Sequence, residues 1–382
     1  MKFKTVVLCL IFIFLVILTG GCRTEEEVTP ANKTAKTEIV FAIQRDFSDT
    51  YMRLVQDFSD NSPDTTVKLV ELCEGGQEFY RMLSSILTGG EVQLDLCMIE
   101  DIWIDSLIED GHLMPLDFCT SIQESDYPEP IRNFAVKKNR LYAIPLELDV
   151  GVLYYRNDIL GQNIGMEDIL HMEGADCAVC ESDGEDMICR VIEFINYTGD
   201  IEAGLQQYKA LAVCGQGKEF LDFKQEDAAC TFSSTGKMRE IINGYNKIQG
   251  KVASSALFNS SGQSCAVARI YGIAASSRSE HTENIKEFLS YMCSESVQTE
   301  LIKGRSAVPV KYSQFEDAMI LDINPLYKTF QSTVDQLYYR RATPQYTKLS
   351  EEAQQSVRAY LADDRGLEAA AEALAELLGR AG

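Results

Sequence analysis

Acid–base groups are scarce in this chain: 382 residues include three histidines and one tryptophan. With so few imidazoles, and no Ser/His/Asp arrangement on a recognisable elbow, hydrolytic catalysis has little machinery to draw on. No glycine-rich phosphate loop occurs. Positive charge is also in deficit, with 35 Lys and Arg against 58 Asp and Glu and a formal net charge of −23. Phosphate binding needs clustered Lys and Arg, so nucleic acid is a poor partner. The same acidity disfavours electrostatic adhesion to anionic lipid. There is no internal repeat, and the only biased tract is an Ala/Glu/Leu-rich C-terminal stretch of high helix propensity. Neither enzymatic activity nor a cofactor is expected.

The chain is long enough for two domains with separate cores. An apolar fraction of 46 % with 24 % charged residues is ordinary for a globular protein. At the N-terminus, Lys2 and Lys4 precede thirteen apolar residues, Val6 to Leu18, and then Thr19-Gly-Gly-Cys22. That apolar run is too short to span a bilayer. The pattern resembles a bacterial lipoprotein signal, residues 1–21, cleaved before a lipidated Cys22. An ordinary secretory signal or an uncleaved anchor stays open as the alternative. Residues 22–37 are polar and aperiodic, as in a flexible tether.

Twelve cysteines are many for an exported chain. Setting Cys9 and Cys22 aside leaves ten, whose spacing suggests no regular disulfide framework. Cys73, Cys97, Cys119 and Cys293 sit in apolar contexts, where a thiol behaves as a small hydrophobe. His171, Cys177, Cys180 and Cys189 are the donor types of a tetrahedral zinc site. One Cys-x-x-Cys pair is equally a disulfide or two free thiols, so no metal is expected.

From residue 39 the pattern alternates strand and helix: Ile39–Ile43, a helix with Tyr51, Leu54, Val55 and Phe58 inward, Val67–Leu72, a helix over Gln77–Thr88, then Val92–Ile99. Such alternation predicts parallel βαβ units and an α/β fold. Two apolar runs follow, Leu141–Leu148 and Val150–Tyr155, interrupted by Pro145, Glu147, Asp149 and Gly151. Burial on both faces is expected for them, and a carboxylate there needs a partner. Ligand hydroxyl, Arg156 and a nearby lysine are the candidates for Asp149. Residues from Ile159 to about Gly250 read as mostly helical. Cys265–Ala275 reads as a strand, and helices are expected at Thr282, at Glu295–Lys303, near 325–338, and over 349–362 and 366–379.

Several segments carry a family resemblance in order: Phe79-Tyr-Arg-Met-Leu-Ser-Ser-Ile-Leu-Thr-Gly-Gly90, Leu94-Asp-Leu-Cys-Met-Ile-Glu-Asp-Ile-Trp103, Glu109-Asp-Gly-His-Leu-Met-Pro-Leu-Asp117, and Leu141-Tyr-Ala-Ile-Pro through Tyr155-Arg-Asn-Asp-Ile-Leu160. Tyr271-Gly-Ile-Ala-Ala-Ser with Glu287-Phe-Leu-Ser-Tyr-Met292, and Ala342-Thr-Pro-Gln-Tyr-Thr-Lys-Leu-Ser350, follow. Together they resemble the extracellular solute-binding proteins of ABC importers, of the sugar-binding type. The resemblance implies two lobes, 38–145 with 260–309 and 146–259 with 310–382, around a cleft that closes on ligand. Crossings between lobes are expected near Ile144–Leu148, Ala256–Cys265 and Val308–Val310. Implied partners are a small carbohydrate and ABC permease subunits, with the protein lipid-anchored on the outer face of the cell membrane. A sensor lipoprotein of the same fold is the alternative.

Sugar recognition uses aromatic faces and ionic acceptors for hydroxyl protons. By position in the resembling segments, Asp149, Tyr271, Asp101, Trp103 and Tyr245 are candidate contacts. Gln44, Arg45 and Asp46 join them at the end of the first strand, where ligands gather in α/β folds. Asp101 is also a possible helix cap and Trp103 a possible core ring; Glu147 is expected to be structural. Arg269-Ile270 stands where the family has Gly-Gly, and Tyr271 where it has Trp. A smaller, more polar or anionic solute is therefore an open alternative, with Arg269 as a bidentate contact.

Overall fold

Strand pairing begins at once in the computed structural model, which describes residues 36–380 apart from 74, 91, 120–122, 175, 180–183, 244–245 and 325. The expected signal, the lipidated Cys22 and the candidate Tyr245 lie outside the described residues. The strands are β1 (Thr37–Ile43), β2 (Thr65–Glu71), β3 (Leu96–Glu100), β4 (Leu113–Met114), β5 (Val136–Lys137) and β6 (Arg140–Leu141). They continue as β7 (Ala143–Arg156), β8 (Cys177–Ala178), β9 (Cys230–Ser234), β10 (Val252–Ala256), β11 (Val267–Ser276) and β12 (Tyr338–Tyr339). The longer helices among the described residues are α1 (Ser48–Asn61), α2 (Gly76–Gly89), α3 (Gly184–Thr198), α4 (Ile201–Cys214), α5 (Thr282–Met292), α6 (Glu295–Arg305), α7 (Tyr346–Ala362) and α8 (Leu367–Leu377).

The main sheet runs β2-β1-β3-β11-β7-β9-β8, with β10 added to β7 and β4 and β12 to β11. Parallel pairing joins β1 to β2 and β3, as the βαβ reading predicts, whereas β11 is antiparallel to both β3 and β7. Residues 37–382 form one unit. The helices shield the sheet with apolar stripes; on α1 it is Tyr51, Leu54, Val55 and Phe58, the spacing legible in the sequence. No helix among the described residues is long and apolar enough to cross a membrane.

The two expected runs around residue 149 are one strand of 14 residues. Its first half pairs with β11, from Ala143 opposite Ala274 to Val150 opposite Ala268. Its second half, from Gly151, lies between β9 and β10. The sequence breakers are absorbed locally. Tyr271 faces Glu147 and Gly272 faces Pro145, so Leu146 is an extra residue in a β-bulge beside the proline, whose missing N–H the bulge tolerates. Gly151 is required sterically, because a Cβ there would lie 1.7 Å from a Glu193 carboxylate oxygen. The backbone N–H of Val150 donates to the Thr235 hydroxyl at 3.0 Å. Val308, in an expected crossing, exchanges backbone hydrogen bonds with Leu148.

Other expectations are corrected. Residues 159–250 contain β8 and β9 as well as helices, because the Cys230-Thr-Phe-Ser-Ser run has side chains suited to a buried strand beside β7. The helix near 325–338 ends at Thr333 and gives way to β12, which extends the edge of β11. α1 starts without a side-chain N-cap, since a 3-10 turn at Arg45–Phe47 leads straight into it. Described cysteines carry no disulfide; burial pushes the Cys97 thiol up to about 12, consistent with an inert core group.

Gly272 marks where β11 and β7 approach most tightly: a Cβ there would lie 2.5 Å from the Ile144 carbonyl oxygen and 2.9 Å from the Phe134 ring. Backbone cannot yield as a flexible side chain can. Gly272→Ala is expected to lower unfolding free energy by roughly 1–3 kcal/mol. Urea denaturation measures it, and an unchanged midpoint would contradict this packing.

Candidate functional site

Side chains alternate across a strand, so Glu147 and Asp149 leave β7 on one face, and Arg269 and Tyr271 leave β11 on the same side. Register places Arg269 opposite Asp149 and Tyr271 opposite Glu147. This four-residue patch forms the floor of a cavity of about 630 Å³. One wall comes from Gln44, Asp46 and Phe47 after β1, together with Gly75 and Gly76; the other comes from Ser234 to Glu240 after β9. Glu100, at the end of β3, and Glu185 and Asp186, in the first turn of α3, close the inner end.

Asp149 has three protein donors. Arg269 donates to it at 2.6 Å, the Gly236 N–H at 2.8 Å and the Thr235 hydroxyl at 3.0 Å. Burial raises its carboxyl, but Arg269 and the donors outweigh that, leaving its pKa below the ordinary value. The partner is therefore Arg269, neither Arg156 nor a lysine; Arg156 pairs with Asp158 and Glu226. Arg269 also bonds Asp186, so its guanidinium is committed to two carboxylates and is not an open fork for an anion. Glu147 accepts from Tyr51 Oη at 2.9 Å and Arg305 Nε at 2.8 Å, a structural role as expected from its setting, although it also lines the cavity. The Arg305 guanidinium lies 3.5 Å from the centre of the Phe47 ring, and that ring tilts against Tyr271 at 5.0 Å.

Asp101 and Trp103 do not line the cavity. Trp103 is buried and stacked on Phe79 and Tyr80, at 5.7 Å and 5.8 Å between ring centres. Asp101 stands behind the inner end, where Arg340 bonds Glu100, Asp101 and Glu185 together. Arg45 lies outside the wall, donating to the Leu72 carbonyl. Gln44 does line it, is buried, and its Nε2 has no hydrogen-bond partner among the described residues. Of the zinc candidates Cys180 lies outside the described residues; Cys177 is buried on β8, Cys189 is buried in α3, and His171 Nδ1 lies 2.8 Å from the Glu167 carbonyl. No group of three or more His, Cys, Asp or Glu among the described residues could hold a metal ion.

Sequence reading missed Phe47, Glu185, Asp186, Lys237, Arg305 and Arg340. They reach the site from five separate parts of the chain, Glu185 and Asp186 together from the first turn of α3, with no local pattern to mark them. Only the 3-10 turn after β1 carried a hint, since Phe47 follows the Gln44–Asp46 group already placed at the strand's end.

A sequence model of the bacterial extracellular solute-binding proteins matches residues 44–168, which contain β7 and one wall of the cavity. Maltose-bound MalE3 of T. maritima superposes with a TM-score of 0.78 at 16% identity, covering 89% of this chain and 100% of that one. The fold is the two-lobed one of the extracellular solute-binding proteins. The GacH receptor of Streptomyces glaucescens, solved unliganded and with acarbose, gives 0.76 at 18% identity, covering 91% and 99%. A solute-binding protein of Agrobacterium vitis with bound D-mannitol gives 0.74 at 17%, covering 90% and 99%.

The Arg340 cluster sets a pH-dependent stability. Burial pushes the Glu100 carboxyl up to about 7 despite Arg340 and Arg269 nearby. Because that value lies above the ordinary 4.5, the group favours folding at low pH, and the benefit is lost as pH rises from about 4.5 through 7. Arg340→Met leaves Glu100, Asp101 and Glu185 without their cation. The expected cost at pH 7.5 is about 3–5 kcal/mol, shrinking at pH 5 where protonation of Glu100 relieves the crowding. Urea unfolding at both values tests this; equal losses would refute the charge account.

Proposed function

We propose that this chain is the capture component of an ABC importer, binding a small carbohydrate or polyol and delivering it to permease subunits. The carrying observation is the polar cavity of about 630 Å³ floored by Glu147, Asp149, Arg269 and Tyr271. Its residues come from both sides of the crossing formed by β7, β11 and Val308. In this reading the lobes are 38–145 with 260–309 and 146–259 with 310–382, and they close on the solute by bending at that crossing. Asp149, held ionised by its donors, accepts from ligand hydroxyls with its exposed edge, and Tyr271 offers the ring. Gln44 supplies a donor that no described residue takes. The sugar- and polyol-bound relatives support the ligand class. Recognition in this reading is noncovalent.

A thermal-shift screen of the purified protein against mono- and oligosaccharides, polyols, amino acids and organic acids tests capture. A solute at 100-fold its Kd should add about 2.7 kcal/mol of stability. Asp149→Ala and Tyr271→Ala should each remove most of that shift, judged against each variant's own unliganded transition. Full shifts in both variants, or a response confined to organic anions, would sink this assignment.

Delivery at the membrane calls for the anchor at Cys22, to which the polar residues 23–37 tether the folded unit. Cys22→Ser should move the protein from the membrane fraction to the soluble exported fraction in a bacterial host that processes lipoproteins. Unchanged fractionation would rule out lipidation at that thiol.

A further inference from the structure

Two of the buried cysteines face each other across paired strands. β8 and β9 run parallel, and register sets Cys177 opposite Cys230 and Ala178 opposite Thr231. Residues opposite one another in a ladder put their side chains on the same face, and neighbouring strands lie about 4.8 Å apart. That spacing falls inside the Cα separation of about 4.4–6.8 Å that a disulfide bridges. The two thiols are also in hydrogen-bond contact with each other. Both side chains are fully buried, and both thiols are free in this structure. No other cysteine in a described strand has a cysteine opposite it; Cys97 on β3 stands against Ala42 and Ala274.

The backbone around the pair is fixed from several directions. The Asp176 carbonyl accepts from the Ala229 N–H at 2.8 Å, the Ala178 carbonyl from the Thr231 hydroxyl at 2.8 Å, and the Val179 carbonyl from the Tyr208 hydroxyl at 3.0 Å. At Gly215 a Cβ would lie 2.0 Å from the Cys177 carbonyl oxygen, so the end of α4 packs directly on this strand. Two thiols held this closely need little rearrangement to join. β8 itself is short: its two residues form an edge of the main sheet and hold to it through two register pairs. Few ladder bonds retain such an edge, so it opens at low free-energy cost unless something ties it.

We propose that Cys177 and Cys230 form a disulfide in the exported protein, a modification that fastens β8 to β9. β9 continues into Ser234 and Gly236, so the tie anchors the strand that carries one wall of the cavity. This rests on the export that the capture reading calls for, since disulfides form and persist in oxidising compartments. It does not depend on which solute the cavity takes. The oxidant is itself a disulfide, carried by a thiol-oxidising protein or by a small thiol such as glutathione. One cysteine thiolate attacks it, forming a mixed disulfide and releasing one thiol. The second cysteine thiolate then displaces the other half as a thiol, so two protein thiols become one disulfide while one disulfide becomes two thiols. Burial, and then the neighbouring Cys230 thiol, hold the Cys177 thiol well above its ordinary pKa. The thiolate is therefore scarce once the strands have paired, and the exchange belongs to folding.

The purified full chain, unfolded with reductant and refolded in a buffer of reduced and oxidised glutathione, tests the pair without relying on export. Thiols are then blocked with iodoacetamide in urea, and the digest is read by mass spectrometry before and after reduction. The expected result is a Cys177 peptide joined to a Cys230 peptide, two hydrogens lighter than their sum, while Cys97 is alkylated. The same linked peptide is expected from the exported fraction of a bacterial host. The oxidised protein should unfold at a urea midpoint about 1 M above that of the reduced protein. Combining Cys177→Ser with Cys230→Ser should abolish that dependence on redox state. Alkylation of both cysteines without reductant, in either preparation, would overturn the modification, as would a Cys177 linked to Cys180 or to any other cysteine. A linked pair with an unchanged midpoint would overturn its role in fastening β8.

Discussion

The antiparallel contact between β7 and β11 puts Asp149 against Arg269 and Glu147 against Tyr271, and the rest of the site is built around those two cross-strand pairs. A slip of one residue in that register would turn all four side chains to the opposite face. The bulge at Leu146 and the close approach of Gly272 to the Ile144 carbonyl hold the register where it is. β7 continues beyond Val150 into pairing with β9 and β10, so the floor of the cavity and the connection between the two halves are the same piece of chain. A bend there would move both walls relative to the floor.

Charge is the second organising element. Arginines 269, 305 and 340 come from β11, α6 and the residue after β12, and each is held by carboxylates from distant segments. Such buried ion pairs give little net stability, because desolvation offsets most of their attraction. Their effect is to position: Arg269 fixes Asp149, Arg305 fixes Glu147 and covers Phe47, and Arg340 ties the end of β3 to the start of α3. The polarity of this cavity thus differs from a sugar cleft lined by open aromatic faces, and the solitary tryptophan belongs to the core.

Trp103 and Asp101 show how a segment can be placed well and its side chains misread. Both stand next to the cavity wall at the end of β3, where the resemblance puts ligand contacts. The indole instead packs between Phe79 and Tyr80, and the carboxylate turns to Arg340, 239 residues away. All three side chains of that 3-10 turn are buried, and which neighbour each one meets is not resolved by any sequence periodicity in a turn that short.

Hydrophobic periodicity by itself determined the α/β class, the βαβ start, the inward stripe of α1 and the helices at 282, 295 and the C-terminus, because each depends on residues within a few positions of one another. It also singled out Asp149, since a carboxylate in an apolar run requires a partner whatever the fold. Tertiary structure alone decided that the partner is Arg269, 120 residues on, that the breakers at Pro145 and Gly151 are absorbed into one continuous strand, and that three arginines meet six carboxylates around one cavity. Those outcomes depend on which strands become neighbours, and neighbourhood across a sheet is set by the packing of the whole chain.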